Sequence, residues 1–235
     1  SSCIPTDLVS EFAASKVKMV LTGDGGDEVQ SGYTSYQSEK IYEKLKIFPD
    51  LIFNLNIKGI SIIKNFIKGS LKYKFNRIEN ILNSAKMDFE ERMINKLAWV
   101  NPNLIKELTK NIECIKIEDY ISDIFKKCSY KDNFYKMMYF NFKISLPDDM
   151  LTKVDRMSMA NSLETRLPFL DVRLIELMTK VDKNIKMEFL ERKSVLKNTI
   201  GKKLPKEVLK SPKKGFVTPL REWFKDESFT KKKKK

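Results

Sequence analysis

Histidine is absent from all 235 residues, which removes Ser–His and Cys–His hydrolytic sites from this chain. Cysteine is scarce. Cys3, Cys114 and Cys128 are an odd number at long spacings, which makes no disulfide framework, and no CxxC pair points to zinc. A reducing, cytoplasmic setting is the simplest reading. Nothing approaches the roughly 18 to 20 uninterrupted apolar residues of a membrane helix. The longest candidate, Ile60 to Ile67, is broken by Ser61, Lys64 and Asn65. The opening Ser1-Ser2-Cys3-Ile4-Pro5-Thr6-Asp7 has no initiator Met and no signal-peptide pattern, so a fragment or a processed product is expected. Arginine is thin too, at seven residues against 38 lysines.

What is present is basic and well supplied with core. The net charge is +14, but Lys231 to Lys235 contribute five of those charges and read as an artefact or a disordered tail. The other lysines are spread from Lys16 to Lys225 among abundant Ile and Asn, the bias that an AT-rich genome writes onto ordinary surfaces. Nucleic-acid readers favour Arg forks and stacking aromatics in one patch, so neither nucleic acid nor membrane is the expected partner. With 42% hydrophobic residues, the length suits one large domain or two small ones.

Along the chain, Pro5 suits a first helical turn, and Leu8, Val9, Phe12 and Ala13 follow at helical spacing. Val17, Met19, Val20 and Leu21 then read as a buried strand. It runs into Thr22-Gly23-Asp24-Gly25-Gly26-Asp27-Glu28, the strand, glycine turn and helix of an α/β unit. From Glu39 to Lys131 the pattern is helical, as at Phe89 to Leu97, Leu104 to Leu108 and Ile117 to Phe125, with breaks at Asn101-Pro102 and Lys110-Asn111. A helix from Asp132 to Ser145 should stop before Pro147. Asp148 or Asp149 should cap the next, which carries Met150, Leu151, Val154 and Met157. Helices are also expected at Arg173 to Val181, Arg192 to Lys203 and Pro219 to Lys225. One strand cannot make a parallel sheet, so its partners are expected upstream or in another chain. The division is residues 1–36 as the strand and glycine loop, 37–145 helical, 146–230 helical with Lys193, and 231–235 as the lysine tail.

Three stretches carry chemistry. The glycines of the 22–28 loop let backbone approach a ligand. Its three acids would repel bare phosphate but suit a metal bridging to phosphate, or a bound amine. The plainer alternative is that Asp27 and Glu28 only stabilise the next helix through its dipole. In the second stretch, Lys153, Asp155, Arg156, Glu164 and Arg166 crowd both signs of charge beside Leu167-Pro168-Phe169-Leu170. A solvated helix face could do this, but Glu164-Thr165-Arg166 adjoins Leu-Pro-Phe-Leu, which should be buried, so the charges there are expected to pair in an internal ion-pair network near a site. The third is Lys193 in Arg192-Lys193-Ser194-Val195-Leu196-Lys197. It is a compact cation suited to pyrophosphate or an oxyanion, though any one lysine among so many is ordinarily a surface residue.

Four blocks together, SSCIPT…VKMVLTGDGGDEVQSGYTSY, LPDDMLTKVDRMSMANSLETRLPFLD, ERKSVLK and LPKEVLKSPKKGFVTPLREWF, resemble the synthetase domain of the glutamine-dependent asparagine synthetase family. The resemblance spans nearly the whole chain and is weakest between about residues 40 and 130. It implies an adenine-nucleotide alpha-hydrolase-like (ATP pyrophosphatase) α/β fold, here mostly its helical C-terminal part with one or few parallel strands. It also implies an enzyme that uses ATP and Mg to adenylate the side-chain carboxylate of aspartate, with ammonia from glutamine then forming the amide. By the same resemblance Thr22 and Gly23 contact ATP, Asp24 supports adenylate formation, and Asp27 belongs to the metal or substrate loop. Lys193 holds the polyphosphate. Lys153 and Arg156 lie on the nucleotide side, and Asp149, Asp155, Glu164 and Arg166 line or brace the site.

The departures are equally definite. The family's SGGxDS pyrophosphate loop occurs nowhere here, and neither does its glutaminase domain; Cys3 lies inside a synthetase block and is not that domain's nucleophile. The chain alone is therefore expected to bind ATP poorly and to need those regions as partners, with oligomeric state, a homodimer included, left open. Two rivals stand beside this reading. One is a related amide-forming enzyme acting on a sugar acid or a β-lactam precursor. The other is a noncatalytic basic scaffold, against which the intact Asp24 and Lys193 argue.

Overall fold

A computed structural model describes residues 2–46, 59–60, 67, 69–97, 104, 107–109, 117–211, 215–216 and 218–225. The expectations for Ile60 to Ile67, Asn101-Pro102, Leu104 to Leu108, Lys110-Asn111 and Lys231 to Lys235 fall wholly or partly outside them. In chain order the helices are α1 Cys3–Ala14, α2 Gly26–Val29, α3 Thr34–Leu45, α4 Gly69–Lys86, α5 Phe89–Leu97, α6 Ile117–Lys126 and α7 Asn133–Phe140. There follow α8 Thr152–Ala160, α9 Val172–Lys180, α10 Lys183–Lys186, α11 Ser194–Asn198, α12 Lys206–Lys210 and α13 Leu220–Trp223. The strands are β1 Met19–Leu21 and β2 Glu164–Arg166. This is a mainly helical α/β fold with a small parallel sheet. The chain divides into two units, one of Ser1–Gly32, Asn141–Lys186 and Lys193–Lys235, the other of Tyr33–Phe140 and Met187–Arg192.

In the first unit, α1 packs on α8. The hydroxyls of Thr6 and Ser10 donate to the carbonyls of Ser2 and Thr6, each at 2.8 Å, which lets polar residues sit on the inward side of α1. β1 pairs in parallel with β2, with Met19 opposite Glu164 and Leu21 opposite Arg166. The Glu164 amide donates to Lys18 O at 3.1 Å and the Thr22 amide to Arg166 O at 2.9 Å, extending the ladder at both ends. A partner for β1 therefore comes from within the chain and from downstream. Backbone bonds alone carry so polar a triplet as Glu-Thr-Arg into a sheet.

The internal ion-pair network is also corrected. Glu164 and Arg166 point to the same face of β2, as residues two apart in a strand do, and Arg166 Nε donates to Glu164 Oε1 at 2.8 Å in the open. Leu167, Phe169 and Leu170 are only half-buried and Pro168 is exposed. Nor is β1 buried: Leu21 is 69% exposed and Phe12 on α1 is 70% exposed.

Pro147 does not end its helix. Residues Asn141–Leu151 form a π-helical segment with Pro147 inside, and α8 follows from Leu151 in helical conformation without a side-chain cap. In an α-helix the proline ring strikes the carbonyl four residues back, and the wider i to i−5 register relieves that clash. Thr152 Oγ1 donates to Pro147 O at 2.8 Å, five residues apart. Asp148 and Asp149 are exposed and cap nothing. By contrast Asp171 does cap α9, its carboxylate accepting from the Arg173 amide at 2.9 Å. The Arg173 side chain folds back onto it and holds that carboxyl down to about 2. The helix expected over Arg192 to Lys203 is broken into α11 and a 3-10 turn at Ile200–Lys203. Lys193 has φ 58 and Thr199 has φ −107, ψ −102, so neither can lie inside a regular helix.

The second unit is built from α3 to α7. Tyr42 and Ala85 are buried between α3 and α4, with Leu45, Ile81 and Leu82 packed against them. An aromatic chain links α5, α6 and α7, with ring centroids 5.1 Å apart for Phe89 and Phe125 and 6.0 Å for Phe125 and Phe140. Among these residues lies a buried ion pair. Arg92 donates through Nη2 and Nε to both oxygens of Glu39, at 2.6 and 3.1 Å, and through Nη1 to Met87 O at 2.6 Å. Two α3 side chains hold the 187–192 segment, Lys40 Nζ donating to Met187 O at 2.9 Å and Gln37 Nε2 to Leu190 O at 2.7 Å.

Candidate functional site

The site grows from the end of β1. After Thr22 the chain turns through Gly23, and the Gly26 amide donates back to Gly23 O at 3.2 Å. Gly25 has φ +81, and a Cβ there would overlap the Leu170 side chain, so both conformation and space demand glycine. Gly26 packs on the Phe169 ring, which a Cβ would meet at 3.2 Å. The Pro168–Leu170 turn thus acts as a backstop holding the loop, and its half-burial follows from that role. At Gly23 nothing lies within 4 Å of a Cβ position, so the loop faces open space there.

Beside this loop is a cavity of about 390 Å³ between α1, β1, β2 and α8. Val9, Ala13, Val20, Leu163 and Phe216 give it apolar walls, and Thr22, Asp24 and Lys153 add polar and charged groups to the lining, as do Thr6, Ser10 and Thr165. Thr22 Oγ1 is buried and has no hydrogen-bond partner. A hydroxyl with no protein partner at a cavity wall keeps its hydrogen-bonding capacity for a group that enters the cavity. Across the loop, Lys193 Nζ lies 2.7 Å from Asp27 Oδ1. Lys193 holds a left-handed backbone conformation, uncommon outside glycine, and its carbonyl accepts the Lys197 amide at 2.9 Å to start α11.

Of the residues singled out from sequence, Thr22, Asp24 and Lys153 line one cavity, Gly23 joins the first two, and Asp27 and Lys193 form an ion pair. Asp149, Asp155, Arg156, Glu164 and Arg166 are exposed and line no part of it. Helical geometry separates them on α8: Lys153 and Val154 line the cavity, while Asp155 lies about 150° from the direction midway between them and Arg156 about 110° from it on the other side. Phe216, Leu163 and Gly32 were not singled out. All three lie within the motif blocks, but nothing in the sequence says which way they face. No three His, Cys, Asp or Glu side chains are gathered as a metal site among the described residues.

The family model for asparagine synthase matches residues 1–232. The chain belongs to the asparagine synthase family. It is 26% identical over 227 residues to the glutamine-hydrolysing asparagine synthetase 1 of Bacillus subtilis strain 168, covering 96% of this chain and 34% of that protein. It is 39% identical over 67 residues to glutamine-hydrolysing asparagine synthetase 3 of the same organism, covering 27% of this chain and 11% of that one. Amidase chry2 of Gibberella zeae is 22% identical over 240 residues, covering 92% of this chain and 34% of its own length. The chain thus spans about a third of the length of the long-matching curated relatives. No solved structure matches. No helix among the described residues is long and apolar enough to cross a membrane.

Proposed function

We propose that this chain contributes the acyl-activating part of an ATP-dependent amide synthetase, in which the side-chain carboxylate of aspartate is adenylated and ammonia then displaces AMP to give asparagine. The observation that carries this reading is the Lys193–Asp27 pair at 2.7 Å beside a loop whose Thr22 hydroxyl is buried and unpaired. A cation at the mouth of a glycine loop is placed to meet polyphosphate, and a fixed positive charge counts for most where charge develops.

Each residue then has a task. The Thr22 hydroxyl and the open backbone at Gly23 take ATP, whose uncharged portion fits apolar walls such as Val20 and Leu163. Asp24, which lines the same cavity as Lys153, supports adenylate formation. Lys193 meets the β- and γ-phosphates as pyrophosphate leaves, and Asp27 orients its amine beforehand. Magnesium neutralises phosphate charge in such reactions and needs only one or two protein carboxylates when phosphates supply the rest. Asp27 is the carboxylate we assign to it. Ammonia would come from glutamine hydrolysed outside this chain, together with the SGGxDS loop. The exposed apolar surface at Leu8, Phe12 and Leu21 favours a further protein layer over α1 and β1.

A second reading, amide chemistry on a carboxylate other than aspartate, draws on the match over 92% of this chain to a protein whose name, amidase chry2, does not specify aspartate. The test is AMP release from MgATP by the native gene product with aspartate present or omitted. Aspartate-dependent AMP supports the first reading; AMP formation indifferent to aspartate supports the second.

A further inference from the structure

Gly32 follows α2 at the far end of the glycine loop, and its backbone is outside the left-handed region that would by itself call for glycine. The reason for a glycine there is space. A Cβ built on Gly32 would overlap the Asp27 carboxylate and stand 2.5 Å from Lys193 Cε. Real Cβ atoms do not approach other heavy atoms so closely, so any larger residue must push one or both partners aside. The backbone at this point is also fixed. The Gly32 amide donates to Asp27 O at 2.8 Å, and the preceding Ser31 is wholly buried with φ 54. The chain cannot back away cheaply, and on the other side Lys193 is itself held at φ 58.

We infer that Gly32 is a positioning residue: its missing side chain is the notch in which the Asp27 carboxylate and the Lys193 ammonium meet. The consequence for activity rests on the proposed phosphate role of Lys193, whereas the geometric claim does not. A group misplaced by about 1 Å can cost up to about a hundredfold in rate, which sets the scale expected for displacing Lys193. Gly23 in the same loop is the internal control for Lys193 reactivity alone, because a Cβ there meets no protein atom.

The experiment compares Gly32→Ala, Gly23→Ala, Asp27→Ala and the double variant Asp27→Ala/Gly32→Ala in the native gene product. Competitive acetylation followed by peptide mass spectrometry reads the reactivity of the Lys193 amine, and AMP release from MgATP is followed in parallel. The ion pair withholds the amine, so Gly32→Ala should raise Lys193 acetylation severalfold, as should Asp27→Ala. The double variant should show no further rise, because Gly32 acts through the pair. Gly23→Ala should leave Lys193 acetylation at the wild-type level, and its AMP release is not used as a reference. AMP release by Gly32→Ala should fall by about tenfold to a hundredfold. Unchanged Lys193 acetylation in Gly32→Ala, or an increase in the double variant equal to the sum of the two singles, overturns the inference. If Gly32→Ala does not fold, recovery of folding in the double variant supports the notch and its failure to recover overturns it. Raised acetylation with no AMP from wild type leaves the notch standing and sinks the synthetase reading instead.

Discussion

Replacing Glu39 with alanine should destabilise the second unit by about 3 to 5 kcal/mol, the usual cost of stranding one member of a buried ion pair. The side chains of Arg92 and Glu39 are each 1% exposed and meet through two hydrogen bonds, so water cannot take over for the lost carboxylate. Arg92 would keep the Met87 carbonyl at 2.6 Å and the faces of Tyr42 and Phe89, at 5.0 and 5.8 Å from its guanidinium carbon. Cation–π contacts of this kind return about 0.5 to 2 kcal/mol, which places the expected loss toward the lower end of the range. Against a typical stability of about 5 to 15 kcal/mol, the change is easily measured. The paired substitution Glu39→Leu/Arg92→Met removes both charges and keeps most of the volume. It should lie much closer to wild type than the sum of the singles, since replacing a whole buried pair with apolar groups is often neutral. Urea unfolding followed by circular dichroism, completed as a double-mutant cycle, is the assay. A Glu39→Ala variant within about 0.5 kcal/mol of wild type, the range of ordinary surface changes, would refute the reasoning, as would strict additivity.

Thr22→Val should leave stability unchanged or raise it by about 1 kcal/mol, because it removes an unpaired buried hydroxyl. It should nonetheless weaken nucleotide binding, read by calorimetric titration with MgATP; a loss of stability with intact binding would contradict the site. Lys186 is buried, and burial pushes its amine down to about 8 from 10.5, with Asp182 opposing. Below about pH 8 both states hold the proton and this group adds no pH dependence. Between about 8 and 10.5 the unfolded state binds more protons, so stability should rise with pH by up to about 3 kcal/mol. Lys186→Met should flatten that rise in urea midpoints taken across the window, and an unaltered slope would contradict it.

Where the sequence could be read ahead of the structure, local and strong signals were responsible. The periodicity over Phe89 to Leu97 and Ile117 to Phe125 matches α5 and α6 closely, because a helical stripe is written in neighbouring residues. The Val-Lys-Met-Val-Leu run ending in glycines located β1 and its loop. β2 was invisible, since Glu164-Thr165-Arg166 has no apolar alternation and becomes a strand only through bonds to residues about 145 positions earlier. The π-helix through Pro147 was hidden for a different reason: the rule that proline ends a helix assumes the α register. At the site, the motif supplied Thr22, Asp24 and Lys193 by resemblance. It could not show that Asp155 and Arg156 stay outside the cavity that Lys153 lines, nor that Gly32 stands against Asp27 and Lys193. Those facts depend on side-chain direction and on contacts far apart in sequence.

The most direct measurement is AMP and pyrophosphate release from MgATP by the native gene product, with and without aspartate and glutamine, for wild type, Asp24→Asn and Lys193→Met. The account predicts equimolar AMP and pyrophosphate that require aspartate, and a fall of about a hundredfold or more in both variants. No AMP under any condition, or full activity in Lys193→Met, would contradict it.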